Sequence, residues 1–401
     1  MRPCLAMCHQ PPASGPFSPR TLEPRHERHC WTLTLLLLLM LAFTSACGRV
    51  EEGAAKQAPS APPSTGAEEL ILPVGGSYTG AYVDFGEGED DVTYDAIADF
   101  EKMTGKHLAV VACGSFWGEQ RFPEKQVHII SAYGAVPLLF WSPWDRPYLE
   151  GRDPDQFSVM SILAGTWDTY IDQWADGAKA YGKPLLVTWG LEANGNWFPW
   201  SGVYYGGGEV IGEENGRLLY AGPERVKKAN RYVIDRVRAR GVNNILWGFH
   251  ANNATLPKEA WNSMENYYPG TGYTDWLGLS VYGKIQREEG WASFDAVMGE
   301  AYTAMHRIDT TKPMILAEWG VGEFPPGDKA EFIRTALAAL KDRYHLFRAA
   351  VFWHERWETE DGTFANLRVN SSPESLAAYR AGVADSYWLD QPQFRPKPIQ
   401  P

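Results

Sequence analysis

The chain has 401 residues, a formal net charge of -12 at pH 7 and 44% hydrophobic residues. This length suits one large domain with appendages, and the hydrophobic fraction supplies a sizeable core, which excludes a globally disordered chain. The acidic balance excludes nucleic acid as a partner, because phosphate binding requires a basic surface. The most unusual count is that of 17 Trp, which predicts either a large aromatic core or an open binding groove.

The first 46 residues have the pattern of an export signal. Arginines precede an apolar run from Trp31 to Phe43, which is too short to span a bilayer comfortably. The run ends in Thr-Ser-Ala-Cys-Gly, and the small residues before Cys47 resemble a bacterial lipobox, in which the cysteine is lipidated. We therefore predict a lipoprotein-type signal peptide over residues 1–46 and an exported protein that is held in the cell envelope only through a lipid on Cys47. Ordinary cleavage near Ala46, which would give a periplasmic or extracellular protein, and an uncleaved anchor are the alternatives.

Residues 47–69 are rich in Ala, Pro, Ser, Gly and Glu and contain almost nothing to bury. This composition is typical of a flexible tether that lifts a domain off a surface. Residues 70–395 are predicted to form one domain. Cys113 is the only cysteine of that domain, so we expect a buried small apolar residue there and no disulfide framework.

Short apolar runs alternate with amphipathic segments along this domain. Eight runs are predicted to be strands: Tyr78–Asp84, His107–Cys113, Val136–Trp141, Leu185–Trp189, Asn244–Phe249, Trp276–Val281, Met314–Glu318 and Ala349–Trp353. Helices are predicted between them, among them Pro223–Arg240, which Gly241 ends, and Asp328–Leu340, where Asp328 and Glu331 have cap spacing. Eight strands that alternate with helices indicate a (β/α)8 TIM barrel, which is an α/β fold. A nucleotide-binding doubly wound sheet is less favoured, because no glycine-rich phosphate loop follows the first strand.

Chemistry in a TIM barrel takes place at the carboxyl ends of the strands. Over half of the tryptophans follow those ends, among them Trp141, Trp144, Trp197, Trp200 and Trp353. Tryptophans that only filled the core would also be scattered through the helices, so we favour an aromatic rim, with burial in the wall as the alternative for single residues. Flat aromatic faces at an open mouth suit sugar rings, which are apolar on their faces and polar at their edges.

Two glutamates, Glu192 and Glu318, end the fourth and seventh predicted strands. Strands so placed lie well apart in an eight-stranded ring, so we expect the two side chains to face each other across the mouth. Glycoside hydrolysis needs two such carboxyls, one protonated and one ionised, whereas a salt bridge or a helix cap is the alternative for either glutamate alone. His250 and His354 also reach the rim, but no metal-ligand spacing such as HExxH is present, so we expect neither a metal nor an organic cofactor.

Three segments carry a resemblance to a known family. Residues 192–200, Glu-Ala-Asn-Gly-Asn-Trp-Phe-Pro-Trp, resemble the acid/base motif of glycoside hydrolase family 26, a retaining family of TIM-barrel enzymes best known for β-mannanases. Residues 268–282 are similar to the family's sixth strand, and Ala-Glu-Trp-Gly at residues 317–320 is similar to its nucleophile strand. The resemblance runs in consistent order over roughly residues 78–390.

The resemblance implies a role for several residues. Glu192 would be the acid/base and Glu318 the nucleophile, with Tyr282 as the hydrogen-bond partner that orients Glu318. The sugar platforms would be Trp197, Trp200 and Trp353. The predicted substrate-binding set is completed by Trp141, Trp144, Asn194 and His250.

The sequence departs from the family at two places. Leu191 stands where the family has a histidine before the acid/base glutamate, and we hypothesise that His250 takes over part of that role. The segment Trp141-Ser-Pro-Trp144 resembles the β-glucanase and xylanase members more than the mannanases.

These patterns together predict a retaining endo-β-glycosidase. Its partner would be a β-linked polysaccharide or oligosaccharide, either a β-mannan or a related β-glucan or xylan. One alternative is a non-catalytic glycan-binding surface lipoprotein on the same barrel, which would explain Leu191 but not the presence of both glutamates. A metal-dependent hydrolase is a weaker alternative, because sets of metal ligands are scarce.

Overall fold

The computed structural model describes residues 68–86, 88–145, 156–359 and 361–397. The predicted signal peptide, the predicted lipidation residue Cys47 and nearly all of the predicted tether lie outside the described residues. The first described strand begins at Glu68, slightly before the predicted start of the domain. Within the described ranges, no helix is both long and apolar enough to cross a membrane.

Strands and helices alternate along the described chain. The strands are β1 (Glu68–Ile71), β2 (Ser77–Tyr82), β3 (Val110–Phe116), β4 (Val136–Ser142), β5 (Leu185–Trp189), β6 (Val210–Glu214), β7 (Arg217–Tyr220), β8 (Ile245–Asn252), β9 (Trp276–Tyr282), β10 (Met314–Gly320), β11 (Phe347–Trp353), β12 (Arg356–Glu358), β13 (Phe364–Asn366), β14 (Trp388–Leu389) and β15 (Gln393–Pro396). The helices are α1 (Tyr94–Thr104), α2 (Glu124–Tyr133), α3 (Val159–Leu163), α4 (Asp168–Tyr181), α5 (Ala221–Ala239), α6 (Met264–Tyr267), α7 (Phe294–Met298), α8 (Ala301–Ile308), α9 (Lys329–Asp342) and α10 (Pro373–Val383).

Eight strands form a closed parallel barrel in the order β2, β3, β4, β5, β8, β9, β10, β11, and β11 pairs with β2 to complete the ring. They are the eight strands that the sequence predicts, each within a few residues of its expected bounds. The predicted TIM barrel is therefore confirmed. Outside the ring, the short β14 pairs with β2, and β1 pairs antiparallel with β15.

The barrel strands are buried on both faces, which explains their nearly continuous apolar runs. All residues of β4 are buried, for example. Helix α5 buries Val226 and Val233 on its inner side, as its periodicity predicts. Helix α9 begins at the predicted cap, where the Asp328 carboxylate accepts the Glu331 N–H at 2.8 Å. Cys113 is a free, buried thiol in β3, as expected.

None of the tryptophan side chains in the described part of the chain is exposed. Six of them are wholly buried: Trp117, Trp141, Trp174, Trp200, Trp276 and Trp319. The aromatic surplus therefore mainly fills the core, and the hypothesis of an aromatic rim is wrong for most of these residues. A position after a strand end does not determine whether a ring points into the mouth or into the layer between strands and helices.

Candidate active site

Glu192 lies in a tight turn directly after β5. Gly190 and Glu192 have positive φ angles of 63° and 53°, a region that glycine adopts freely and glutamate rarely. The Glu192 N–H donates to the His250 carbonyl at 2.9 Å, which ties the turn to β8. An uncommon backbone conformation held by neighbouring strands is typical of functional sites.

The Glu192 carboxyl is buried among neutral hydrogen-bond donors. Trp197 Nε1 donates to Oε2 at 2.7 Å, and Asn252 Nδ2 donates to Oε1 at 2.8 Å. Burial raises the pKa of Glu192 above its usual range, and the Ser280 hydroxyl, the Asn252 amide and the Trp197 indole oppose that rise. The carboxyl is therefore fixed in place and keeps its proton to a higher pH than an exposed glutamate does.

Asn194 does not offer its amide to the cleft, so its predicted contact with substrate is corrected. Its side chain is 1% exposed. Its Nδ2 donates to the Asn252 carbonyl at 2.9 Å, and its Oδ1 accepts the Asn252 N–H at 3.0 Å. Asn194 thus holds Asn252, whose own amide in turn holds Glu192.

Glu318 lies near the end of β10, where the pairing with β9 changes register between Leu316 and Glu318. Such an irregularity redirects the side chain that follows it. The Tyr282 hydroxyl, at the end of β9, donates to Glu318 Oε2 at 2.7 Å. Burial raises the pKa of Glu318 well above its usual range, and the charge of Glu192 raises it further.

The structure brings the two carboxyls together in the barrel mouth. One oxygen of Glu192, one oxygen of Glu318 and a ring nitrogen of His250 all lie within 4.8 Å of one another. Retaining glycosidases hold their two carboxyl groups about 5–5.5 Å apart, whereas inverting enzymes leave a wider gap for water. Two buried carboxyls this close do not both ionise readily, so the pair keeps one proton over a range of pH.

His250 is buried in β8, and its ring is neutral because burial lowers the pKa to about 3. Its Nε2 lies 2.7 Å from Ser280 Oγ and 4.0 Å from Glu318 Oε1. Glu192, His250 and Glu318 form a group of the kind that could hold a metal ion, which their spacing in sequence does not reveal. Because hydrogen bonds already engage both Glu192 oxygens and His250 Nε2, we assign this group to proton chemistry rather than to metal binding.

Two of the predicted sugar platforms lie at the site. Trp197 is partly exposed beside Glu192, to which its indole N–H is bonded. Trp353 is 6% exposed. Its ring stacks on Tyr82 with the centroids 4.2 Å apart, which covers one of its faces.

The other predicted platforms are corrected, because their rings are covered by protein. Trp200 is 1% exposed and stacks on Phe198. Trp141 is wholly buried and stacks on Trp174 of α4, behind the barrel wall. Trp144 is 2% exposed and packs edge-on against Phe198 and Trp200. Trp144 and Trp200 pack beneath the loop around Glu192, and the covered faces of all three rings leave no surface for sugar.

The structure adds two acidic residues that sequence reasoning missed. The negative charges of Glu89 and Glu355 both raise the pKa of Glu318. Glu355 follows β11, and its Oε2 accepts the Trp353 Nε1–H at 2.6 Å. Glu89 is 6% exposed in the loop after β2. The sequence could have indicated these two residues only by their position, since each lies in a loop at the carboxyl end of a barrel strand.

The chain is similar to known glycoside hydrolases. The family model described as Glycosyl hydrolase family 26 matches residues 162–315. Endoglucanase H of Acetivibrio thermocellus is 31% identical over 293 residues, which are 72% of this chain and 29% of that protein. A mannan endo-1,4-beta-mannosidase of Bacillus subtilis is 24% identical over 247 residues, which are 60% of this chain and 58% of that protein. The chain therefore spans less than two thirds of the length of either relative.

Solved structures share the fold. A modular endo-beta-1,4-mannanase from Cellulomonas fimi has a TM-score of 0.55 at 19% identity, over 79% of this chain and 72% of that chain. The family match includes Glu192, His250 and Tyr282 and ends shortly before Glu318. With the closed barrel and the Endoglucanase H relative, these matches show that the chain belongs to glycoside hydrolase family 26.

Proposed function

We propose that this protein is a retaining endo-β-glycosidase that cleaves a β-linked polysaccharide in the barrel mouth. The observation that carries the proposal is the buried pair of Glu192 and Glu318, with carboxylate oxygens within 4.8 Å of each other. Membership of the family supports hydrolysis of a glycosidic bond, and the short separation of the carboxyls supports retention of configuration.

In the proposed reaction Glu318 attacks the anomeric carbon while Glu192 protonates the leaving oxygen. The bond from the anomeric carbon to the glycosidic oxygen breaks, and an ester between the sugar and Glu318 forms. Glu192, now ionised, takes a proton from a water, which attacks the anomeric carbon and releases Glu318. Burial favours protonated Glu192, which supports its role as the acid. Burial raises the pKa of Glu318 as well, and the Tyr282 hydrogen bond opposes that rise.

The substrate class that we propose is a β-mannan or a β-glucan. The printed names of two relatives, an endoglucanase and a mannan endo-1,4-beta-mannosidase, support these two classes. Trp197 and Trp353 are proposed to contact sugar rings, because neither indole is wholly buried. The Trp197 indole is bonded to Glu192, and the Trp353 indole is bonded to Glu355.

A panel of polysaccharides tests this function. The full chain is incubated with mannan, mixed-linkage β-glucan, xylan and a bacterial exopolysaccharide, and new reducing ends are counted. We expect cleavage of mannan or mixed-linkage glucan, with proton NMR of the earliest products showing the β-anomer first. An α-anomer as first product would contradict Glu318 as nucleophile. Binding of one glycan without cleavage of any would favour the non-catalytic alternative that Leu191 raised.

The sequence also supports a proposal on location. We propose that the protein is exported and anchored by a lipid on Cys47, in line with the small residues before it and the tether after it. Cys47→Ser should move the protein from the membrane fraction to the soluble fraction. A variant that stays with the membranes, together with a wild type that carries no lipid by mass spectrometry, would contradict this anchor.

A further inference from the structure

Leu191 gives the acid/base turn no polar side chain. It is 6% exposed, and its carbonyl accepts the Trp200 Nε1–H at 2.7 Å, so this position contributes packing and one backbone contact. A histidine here would offer a ring nitrogen to the site. The structure places the imidazole of His250, on β8, beside the carboxyl pair.

His250 reaches Glu192 through a hydroxyl group. Its Nε2 lies 2.7 Å from Ser280 Oγ on the neighbouring strand β9. Ser280 pairs with Asn252, whose amide donates to Glu192, and the Ser280 hydroxyl lowers the pKa of that carboxyl. The distance from His250 Nε2 to Glu318 Oε1 is 4.0 Å, which is too long for a direct hydrogen bond. His250 is 4% exposed and Ser280 0%, so water does not compete for these contacts.

Burial determines which group donates and which accepts along His250, Ser280 and Glu192. The His250 ring is neutral near pH 7, because burial lowers its pKa to about 3, and a neutral ring carries one N–H. Nδ1 is buried and has no hydrogen-bond partner among the described residues, which suits an unprotonated nitrogen better than an N–H. The proton therefore lies on Nε2 and is donated to Ser280 Oγ. The single hydroxyl proton of Ser280 is then available to Glu192.

We propose that His250 is a positioning residue for the acid/base Glu192 and that it acts through Ser280. This inference rests on the proposed function of Glu192. A fixed O–H donor stabilises Glu192 in its ionised form, after the proton has passed to the leaving oxygen. It also keeps the carboxyl turned toward the cleft.

The surroundings of His250 leave few other partners for its ring. The acidic groups that the described part of the chain places beside it are Glu192, after β5, and Glu318, on β10, which also accepts from the Tyr282 hydroxyl. Phe140 of β4 packs against the ring with the centroids 5.7 Å apart and adds no charge. An effect of His250 on the pH dependence of activity is therefore expected to pass through Ser280.

Three variants test this chain of groups. Ser280→Ala removes the middle hydroxyl, His250→Phe removes the donor but keeps a ring, and His250→Gln keeps an N–H. The measurement is the pH profile of kcat/KM on the polysaccharide that the wild type cleaves. We expect the alkaline limb, which reports Glu192, to move up by about 1 pH unit in Ser280→Ala and His250→Phe, because ionised Glu192 loses a donor. His250→Gln should return the limb most of the way to its wild-type position.

A double variant and a matched control sharpen the test. If the two residues act in series, Ser280→Ala with His250→Phe should shift the limb no further than either change alone. His354→Phe is the control, since His354 is also buried and neutral, but its Nδ1 accepts the Val369 N–H at 3.0 Å. The control should lower Tm and leave the limb in place. Additive shifts, or limbs that do not move in the single variants, would overturn the proposal.

An NMR measurement separates this inference from the proposed function. The 15N shifts of the His250 ring in the full chain report its tautomer without any turnover. We expect a neutral ring with its proton on Nε2 from about pH 5 to about pH 8. A wild type that cleaves no glycan but has this tautomer contradicts the proposed function and supports the hydrogen-bond chain. A proton on Nδ1, or a charged ring near neutral pH, overturns the chain itself.

Discussion

The two glutamates have unlike surroundings although they face the same cleft. Glu192 meets neutral donors, among them the Trp197 indole and the Asn252 amide. Among the described residues, Glu318 meets one hydrogen-bond donor, the Tyr282 hydroxyl, together with the negative charges of other carboxylates. Neutral donors stabilise an ionised carboxyl, whereas negative neighbours destabilise it. Ionisation therefore costs more free energy at Glu318 than at Glu192 in the resting protein.

This difference runs against the order that the proposed mechanism requires, with Glu318 ionised and Glu192 protonated. In the proposed reaction the sugar would resolve the conflict. Cleavage would develop positive charge near the anomeric carbon, and the negative charges of Glu318, Glu89 and Glu355 would stabilise it. The negative charges around Glu318 therefore disfavour its ionisation in the resting protein but would stabilise the transition state. Only an interaction that is stronger in the transition state than in the ground state accelerates a reaction.

Removing each carboxyl in turn should give the largest effect. Glu318→Ala and Glu192→Ala should each lower activity on polysaccharide by at least about 10²–10⁴-fold. On a dinitrophenyl glycoside, Glu318→Ala should also be inactive, because no covalent intermediate forms. Glu192→Ala should still form that intermediate, because this leaving group needs no proton.

Azide distinguishes the two roles. It should speed the turnover of Glu192→Ala on the dinitrophenyl glycoside, since azide attacks without a general base. Rescue of neither variant, with equal residual activity in both, would remove the assignment of roles. Activity near that of the wild type in either variant would remove the proposed function.

Trp197→Phe tests the donors around Glu192. It keeps an aromatic ring and removes the Nε1–H that donates to Glu192 Oε2 at 2.7 Å. We expect kcat/KM to fall about tenfold and the alkaline limb to move to higher pH, because ionised Glu192 loses a donor. Trp167→Phe is the control, because its Nε1 also donates, to the Gln156 carbonyl at 3.1 Å, at the start of α4. Equal losses in both variants would indicate a packing effect.

Glu318→Gln tests the cost of ionisation in the folded protein. Because the folded-state pKa of Glu318 is raised, the protonated side chain stabilises the fold, and this contribution is lost as pH rises through that pKa. Glutamine stays neutral, so its Tm should exceed that of the wild type by about 2–4 °C at alkaline pH. Below the unfolded pKa the two proteins should have the same Tm. Glu358→Gln, an exposed change in β12, is the control, and a lower Tm of Glu318→Gln at every pH would contradict the argument.

The barrel and the glutamate pair could be predicted from sequence because both depend on local pattern. Each barrel strand is an apolar run, and Glu192 and Glu318 lie at strand ends within recognisable motifs. The direction of the rings could not be predicted. Side chains of a barrel strand alternate between the interior and the helices, but β4 is buried on both faces, so no polar alternation shows that Trp141 points to the helices.

Contacts between side chains of neighbouring strands could not be predicted from the sequence either. Ser280 lies near Glu192 because β9 pairs with β8 in a register that sets Asn252 beside Ser280. Neither strand alone indicates that register, since it depends on the twist and closure of the whole ring. Glu355 affects Glu318 for a similar reason, because a loop after β11 brings it toward the neighbouring strand.

Glu355→Gln should give the smallest effect. It removes a negative charge from the Glu318 side and keeps an oxygen that can accept the Trp353 N–H. The pKa of Glu318 should fall, so the acid limb of kcat/KM should move to lower pH. Burial raises the pKa of Glu355 itself to about 7, so only part of its charge is present at the acid limb, and we expect a shift of a few tenths of a unit. A limb that moves to higher pH, or that moves equally in Glu358→Gln, would contradict this origin of the Glu318 pKa.

The Glu355→Gln variant should also lower kcat at the optimum about two- to fivefold, because the transition state loses a stabilising negative charge. A lower acid limb together with a lower kcat is what the contrast between the two glutamates requires, since one charge acts in opposite senses on the resting nucleophile and on the reacting sugar.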